Sequence, residues 1–257
     1  AAACKAAACR VRYRYALREA SNKLDDPDTA SQEGDVFEAP PSTWLLAPMR
    51  PSNDTPHFAA STPRVRFRVT TPEGSHFVTG IFHSVEARDA WDITVDDLAT
   101  SPYSAFGPLH LRSIPVKGGA IQLAIGAGNA AVTEDEIAAW AESSARAVST
   151  YFGRFPMPGA LVLVAIARGA WVGSGQTLSG GGGSVFVRVG ERALVKAYRD
   201  DWVLVHEMIH LGFPSVTRDQ DWAEEGLATY VEPFARVRAG LLTEAEAWAG
   251  LAEGLPK

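Results

Sequence analysis

One five-residue stretch constrains this chain more than any other: His206-Glu207-Met208-Ile209-His210. Trp202-Val203-Leu204-Val205 precedes it and Met208-Ile209 lies within it, so the segment reads as a largely buried helix. Residues four apart on a helix share a face. Both imidazoles then reach one metal ion, with the Glu207 carboxylate beside it. Such a pattern arises by chance in about 1% of chains of this length, so its context matters. An acidic run follows, Trp222-Ala223-Glu224-Glu225-Gly226.

Zinc held this way takes three protein ligands and keeps one position for water. Glu225 is the candidate third ligand; it and Glu224 are adjacent, so only one of them can face the metal. Glu232 lies seven residues beyond Glu225, two helical turns along the same face, and is expected to partner a site histidine. A bound Zn²⁺, one per chain, lowers the pKa of its water to about 7. Glu207 is then the general base, and peptide-bond hydrolysis is the reaction class that fits.

The remaining sequence narrows the partners. Net charge is −6 with a pI near 5.5, so no basic surface recommends nucleic acid or an anionic membrane. The longest strongly apolar run, Ala160 to Ala167, is too short to span a bilayer. Cys4 and Cys9 are too few for a disulfide framework. His57, His76, His83 and His110 have no ligand spacing and read as surface or packed residues. Exported and cytoplasmic locations both stay open, as does the oligomeric state.

Along the chain, residues 10–126 read as an antiparallel β domain. Arg10 to Tyr15 alternates as a strand does, and Leu17 to Leu24 suits a short helix. Arg64 to Thr70, the turn Pro72-Glu73-Gly74 and His76 to Phe82 predict a hairpin. Ala120 to Ile125 is a further strand. From residue 127 the pattern changes. Thr133 with Glu136 is a capping box opening a helix to about Tyr151. Leu161 to Ala167 reads as a buried strand, Gly173 to Gly183 as a glycine-rich loop and Ser184 to Val189 as a strand. Asp200 or Asp201 starts the helix of the two histidines. Further helices begin near Asp221 and at Thr243. The fold class is α+β, with domains at 1–126 and 127–257.

Glu225-Gly226-Leu227-Ala228-Thr229-Tyr230, after the His-Glu-x-x-His helix, resembles the gluzincin metallopeptidases. The glycyl aminopeptidase family is nearest, with the aminopeptidase N family a relative. Tyr151-Phe152-Gly153-Arg154-Phe155-Pro156-Met157-Pro158 and Gly180-Gly181-Gly182-Gly183-Ser184-Val185 are also similar to those families. The likeness spans about residues 130 to 235. It implies a thermolysin-like catalytic domain, Glu225 as the ligand rather than Glu224, a peptide or protein substrate, and aminopeptidase-like activity. Gly181, Gly182, Gly183 and Ser184 are then the substrate-binding strand, pairing their backbone with an extended peptide.

Two departures stand out. Ser184 and Val185 occupy the neighbourhood where those families carry a Glu for the substrate's α-amine. No Tyr or His follows Tyr230, where such a residue stabilises the oxyanion. With the family's C-terminal helical part missing, the chain is expected to be an N-terminal fragment of a longer protein. The competing expectation is a non-catalytic zinc-binding or peptide-binding protein.

Overall fold

The computed structural model describes residues 11–24, 26, 29–46, 63–213, 216 and 218–254. Cys4, Cys9 and His57 lie outside them. The first half begins with helix α1 (Leu17–Leu24), strands β1 (Ser31–Glu33) and β2 (Val36–Glu38), and the one-turn helix α2 (Pro41–Trp44). Strands β3 (Arg64–Phe67), β4 (His76–Thr79), β5 (Trp91–Thr94) and β6 (Ser104–Gly107) follow. Residues 11–16 form no strand despite their alternation. Val11, Tyr13 and Tyr15 are exposed, so the alternating side chains have no face to bury against.

The expected hairpin between the segments at 64 and 76 does not form. β3 pairs antiparallel with β5, and β4 pairs antiparallel with β6. Cross-strand side chains supply the reason. The Arg66 guanidinium donates to both carboxylate oxygens of Asp92, at 2.7 and 2.9 Å, and to Glu86 at 2.8 Å. Phe67 stacks on Trp91 with ring centroids 5.6 Å apart. β4 carries no acid to offer Arg66.

The second half is built on a five-stranded mixed sheet. Its strands are β7 (Leu109–Val116), β8 (Gly119–Gly126), β9 (Gly159–Ala167), β10 (Val172–Leu178) and β11 (Ser184–Gly190), in the order β10-β11-β9-β8-β7. β8 and β9 run parallel, as do β9 and β11; β10 is an antiparallel edge. The expected boundary after residue 126 therefore falls inside one sheet, because β8 pairs directly with β9. The glycine-rich stretch is also not wholly a loop: its first part is β10.

β9 shows why its sequence is apolar throughout rather than alternating. Val162 and Val164 pack on one face with helix α3 (Glu134–Phe152), beside Ile137, Ala141 and Val148. Leu161, Leu163 and Ala165 pack on the other, against Val36, Val78 and Tyr103 of the first half. A strand covered on both faces needs hydrophobic residues at both parities. The capping box of α3 forms as expected, with Thr133 Oγ1 accepting from the Glu136 amide.

Helices α4 (Val195–Asp200), α5 (Val203–His210), α6 (Asp221–Arg238) and α7 (Glu244–Gly254) complete the chain. α5 buries Leu204, Val205, Met208 and Ile209 in the same core as α3. Its first turn is fixed by Asp201, whose carboxylate accepts from the Val203 and Leu204 amides, both at 3.1 Å, and from Trp140 Nε1 at 3.1 Å. Burial raises the Asp201 pKa against the pull of those donors. No helix of the described residues is long and apolar enough to cross a membrane.

Candidate metal centre

The i, i+4 spacing on α5 brings the two histidine rings together, with His206 Nε2 and His210 Nε2 3.1 Å apart. Glu225, from the first turns of α6, puts Oε2 3.1 Å from His206 Nε2 and Oε1 3.6 Å from His210 Nε2. Two nitrogens and a carboxylate thus converge on one point. A tetrahedral zinc with bonds of about 2.0–2.1 Å sets its ligand atoms about 3.3 Å apart. The observed separations straddle that value, so the donor set fits a zinc ion in number, type and spacing. Both histidines are buried, whereas the Glu225 side chain is 62% exposed. The cluster therefore opens to solvent on the α6 side, where a fourth position is accessible. Burial lowers the His206 pKa, and the neighbouring His210 lowers it further. Neutral imidazoles are the form that binds a metal.

Glu207 points from the same helix but does not join the cluster. Its carboxylate Oε2 accepts from Thr177 Oγ1 on β10 at 2.8 Å, and its main-chain carbonyl lies 2.9 Å from the same hydroxyl. Burial pushes its pKa up to about 7; Thr177 works against that rise and the Glu225 charge adds to it. Trp202 meets the His206 ring edge-on at 5.4 Å.

Several expectations need correction. Glu232 does not partner a histidine. It sits in a buried ion pair with Arg236 at 2.9 Å, one turn further along α6. Seven residues bring Glu232 back to the azimuth of Glu225 but carry it about 10 Å along the axis. Glu224 reaches a histidine instead: its Oε1 lies 3.5 Å from His210 Nδ1, and its Oε2 accepts from the Val216 amide at 3.3 Å. Adjacent glutamates thus serve opposite nitrogens of one ring. His206 Nδ1 is buried with no hydrogen-bond partner among the described residues.

Gly181, Gly182, Gly183 and Ser184 do not form a free edge. The Gly183 amide donates to Gly80, Gly182 bridges Ile81, and the Gly181 carbonyl accepts from Phe82. Any Cβ on Gly182 would collide with the Gly80 carbonyl. The Ser184 hydroxyl is fully buried, accepting from the Tyr103 amide at 2.7 Å. This run is a seam between the two halves. The strand beside α5 is β10, whose Gly175 leaves room for the Glu207 side chain, since a Cβ there would strike Glu207 Cγ. Thr177 and Gly175 are thus site residues that the sequence did not announce; they meet Glu207 across about 30 residues of chain. Trp222 and Tyr230 of α6 are 73% and 53% exposed.

No protein-family profile and no curated protein matches the chain. Solved structures do. An aminopeptidase N family protein from Idiomarina loihiensis superimposes with a TM-score of 0.62 at 14% identity, covering 85% of this chain and 40% of that one. An M1 zinc metallopeptidase from Deinococcus radiodurans gives 0.50 at 19% identity, covering 91% and 54%. A mutant of the latter, solved with a Tyr-Ser-Ala substrate, gives the same values. The chain shares its fold with these zinc metallopeptidases, in keeping with the gluzincin resemblance, and spans about half their length.

Proposed function

We propose that this chain carries the metal-binding and proton-transfer groups of a zinc-dependent metallopeptidase of the gluzincin kind. The observation that carries the reading is the convergence of His206, His210 and Glu225 with Glu207 held beside them. His206, His210 and Glu225 would hold the ion. When bound, zinc supplies Lewis acidity, making water a nucleophile near neutral pH. Glu207, on the same helix as the two histidines, takes the water proton on the carboxylate oxygen that Thr177 leaves free and passes it to the leaving amine. Burial raises its pKa, which favours proton uptake by this carboxylate. Glu224 holds His210 through Nδ1 and keeps its Nε2 aimed inward.

The substrate in this reading is an extended peptide. Among the described residues β10 is paired on one side only, with β11, so its outer edge offers backbone donors and acceptors to a peptide strand. That edge, rather than residues 181–184, is the proposed substrate strand. The neighbour solved with Tyr-Ser-Ala supports a peptide as the substrate class. Two measurements test the reading. The purified chain is expected to hold one zinc per molecule by elemental analysis, and Glu207→Gln is expected to keep the metal while losing peptide hydrolysis. A chain without stoichiometric zinc overturns the proposal.

A further inference from the structure

The geometry assigns Thr177 as the positioning residue of Glu207, a role that rests on the metallopeptidase reading and deepens it. β10 approaches α5 with two residues of one face, Gly175 and Thr177, spaced by the two-residue repeat of a strand. Gln176 between them faces the other way, toward the Tyr103 hydroxyl. Gly175 leaves bare backbone beneath the Glu207 side chain, where a Cβ would collide with both Glu207 and Val203. Thr177 then meets the end of that side chain, with Oγ1 2.8 Å from Oε2 and 2.9 Å from the main-chain carbonyl of the same residue. A hydroxyl has one proton and two lone pairs. It can therefore donate to either oxygen, and in both arrangements its partner is Glu207. Whichever oxygen receives the proton, the contact ties the glutamate to the strand rather than to its own helix.

The irregularity of β10 belongs to this seat. The pairing with β11 shifts register between Gly173 and Gly175, and Ser174 at the shift has φ +50°. A non-glycine residue in the left-handed region is strained. The bulge re-phases the strand, so that Gly175 and Thr177, rather than the residues on either side of them, face α5. The strand whose free edge is offered to the substrate is also the strand that fixes the base. Carboxylate and substrate backbone then share one frame of reference. The interaction acts on alignment during reaction more than on substrate binding, so its loss falls on kcat rather than KM.

The test compares Thr177→Val, nearly the same shape without the hydroxyl, with Thr177→Ser, which keeps it. Thr177→Val is expected to lower kcat about 10- to 100-fold with KM changed less than about threefold. Thr177→Ser is expected to recover most of that loss, and both variants to retain wild-type zinc content. Crystal structures of the metal-free proteins give a readout independent of turnover. The Glu207 carboxylate is expected in its observed place in wild type and Thr177→Ser, and displaced or in several rotamers in Thr177→Val. If Thr177→Val does not fold, Thr177→Ala, which relieves volume, takes its place with the same expectation. A valine variant with unaltered kcat, a serine variant as slow as valine, or an undisplaced carboxylate each overturns the assignment. Failure of the parent reading looks different: wild type then shows no zinc-dependent hydrolysis, or Glu207→Gln stays active, and the crystal structures alone decide the seat.

Discussion

β9 and β3 are both short of polar turn residues, yet they are held in place by different physics. β9 lies third in a five-stranded sheet, with parallel neighbours on both sides and a hydrophobic cluster on each face. β3 belongs to a two-stranded ribbon, with Phe67 buried, Arg64 and Arg66 exposed, and an arginine–carboxylate fork securing its register. In the second half of the molecule burial decides where residues go. In the first half the choice of partner decides. The proposed metal-binding and proton-transfer groups all stand on the half governed by burial, where α5 packs against α3 and the sheet.

The largest effect sits where that wedge presents its chemistry. Glu207→Gln is expected to cut kcat for peptide hydrolysis by about 10²- to 10⁴-fold, with zinc content and thermal midpoint close to wild type. Steady-state kinetics beside elemental analysis checks it. An amide can keep the Thr177 hydrogen bond but cannot take a proton at neutral pH. A variant that loses zinc as well would place Glu207 among the ligands and break the division between cluster and base.

These two regions also separate what could be read in the sequence from what could not. His206, His210 and Glu207 follow from local helical spacing, and the Thr133–Glu136 cap and the buried β9 follow from short-range pattern. The pairing of β3 with β5 was invisible, because Arg66 finds Asp92 across 26 residues while a turn signal at Pro72-Glu73-Gly74 invited a local hairpin. Glu232 misled for a related reason: the heptad spacing fixes azimuth but not reach along the helix, and Arg236, one turn on, is nearer. Thr177 had no signal at all. Its glycine-rich surroundings read as a loop, and only the sheet pairing shows which of those residues face α5. The adjacency of Glu224 and Glu225 hid a second possibility, that Glu224 lies against Nδ1 of His210 while Glu225 joins the cluster at its Nε2.

Next in size is a test of burial itself. Leu163 is fully buried on β9 and faces the first half of the molecule. Leu163→Ala is expected to destabilise the fold by about 2–5 kcal/mol, the loss of transfer free energy plus a cavity that parallel neighbours on both sides keep from collapsing. Urea unfolding at constant m-value measures it. A loss under about 1 kcal/mol would show that the contact between the halves is looser than the close packing of β9 implies.

A smaller effect, with a distinctive pH signature, comes from Glu38 on β2. It is fully buried, and burial raises its pKa to about 7, against the Ser31 hydrogen bond at 2.6 Å and the charge of Arg188. Between the ordinary carboxylate pKa of about 4.5 and about 7 the folded chain keeps a proton that the unfolded chain releases. The stability this proton confers is fully present below about 4.5 and lost as pH rises through about 7. Relative to Glu38→Gln, wild type should thus weaken by about 2–3 kcal/mol between pH 4.5 and 8. Chemical denaturation of both proteins at the two pH values isolates Glu38, because every other titrating group cancels in the difference. A difference that does not change with pH would mean that Arg188 holds Glu38 ionised.

The smallest effect tests the other side of the comparison. Arg66 is 37% exposed and its partner Asp92 is 11% exposed. Contact with the Arg66 guanidinium holds the Asp92 pKa down at about 2, but solvent and salt screen an exposed pair of this kind, so it adds little stability. Arg66→Ala should accordingly change stability only slightly, and added salt should weaken wild type and leave the variant less affected. The consequence to look for is specificity rather than stability. If the fork selects β5 as the partner of β3, its removal should raise amide hydrogen exchange at Val65 and Phe67 well beyond what the small stability loss explains. Unchanged protection in that ribbon would show that the stacking of Phe67 on Trp91 selects the register instead, and that even in the first half burial, rather than charge, chooses the partner.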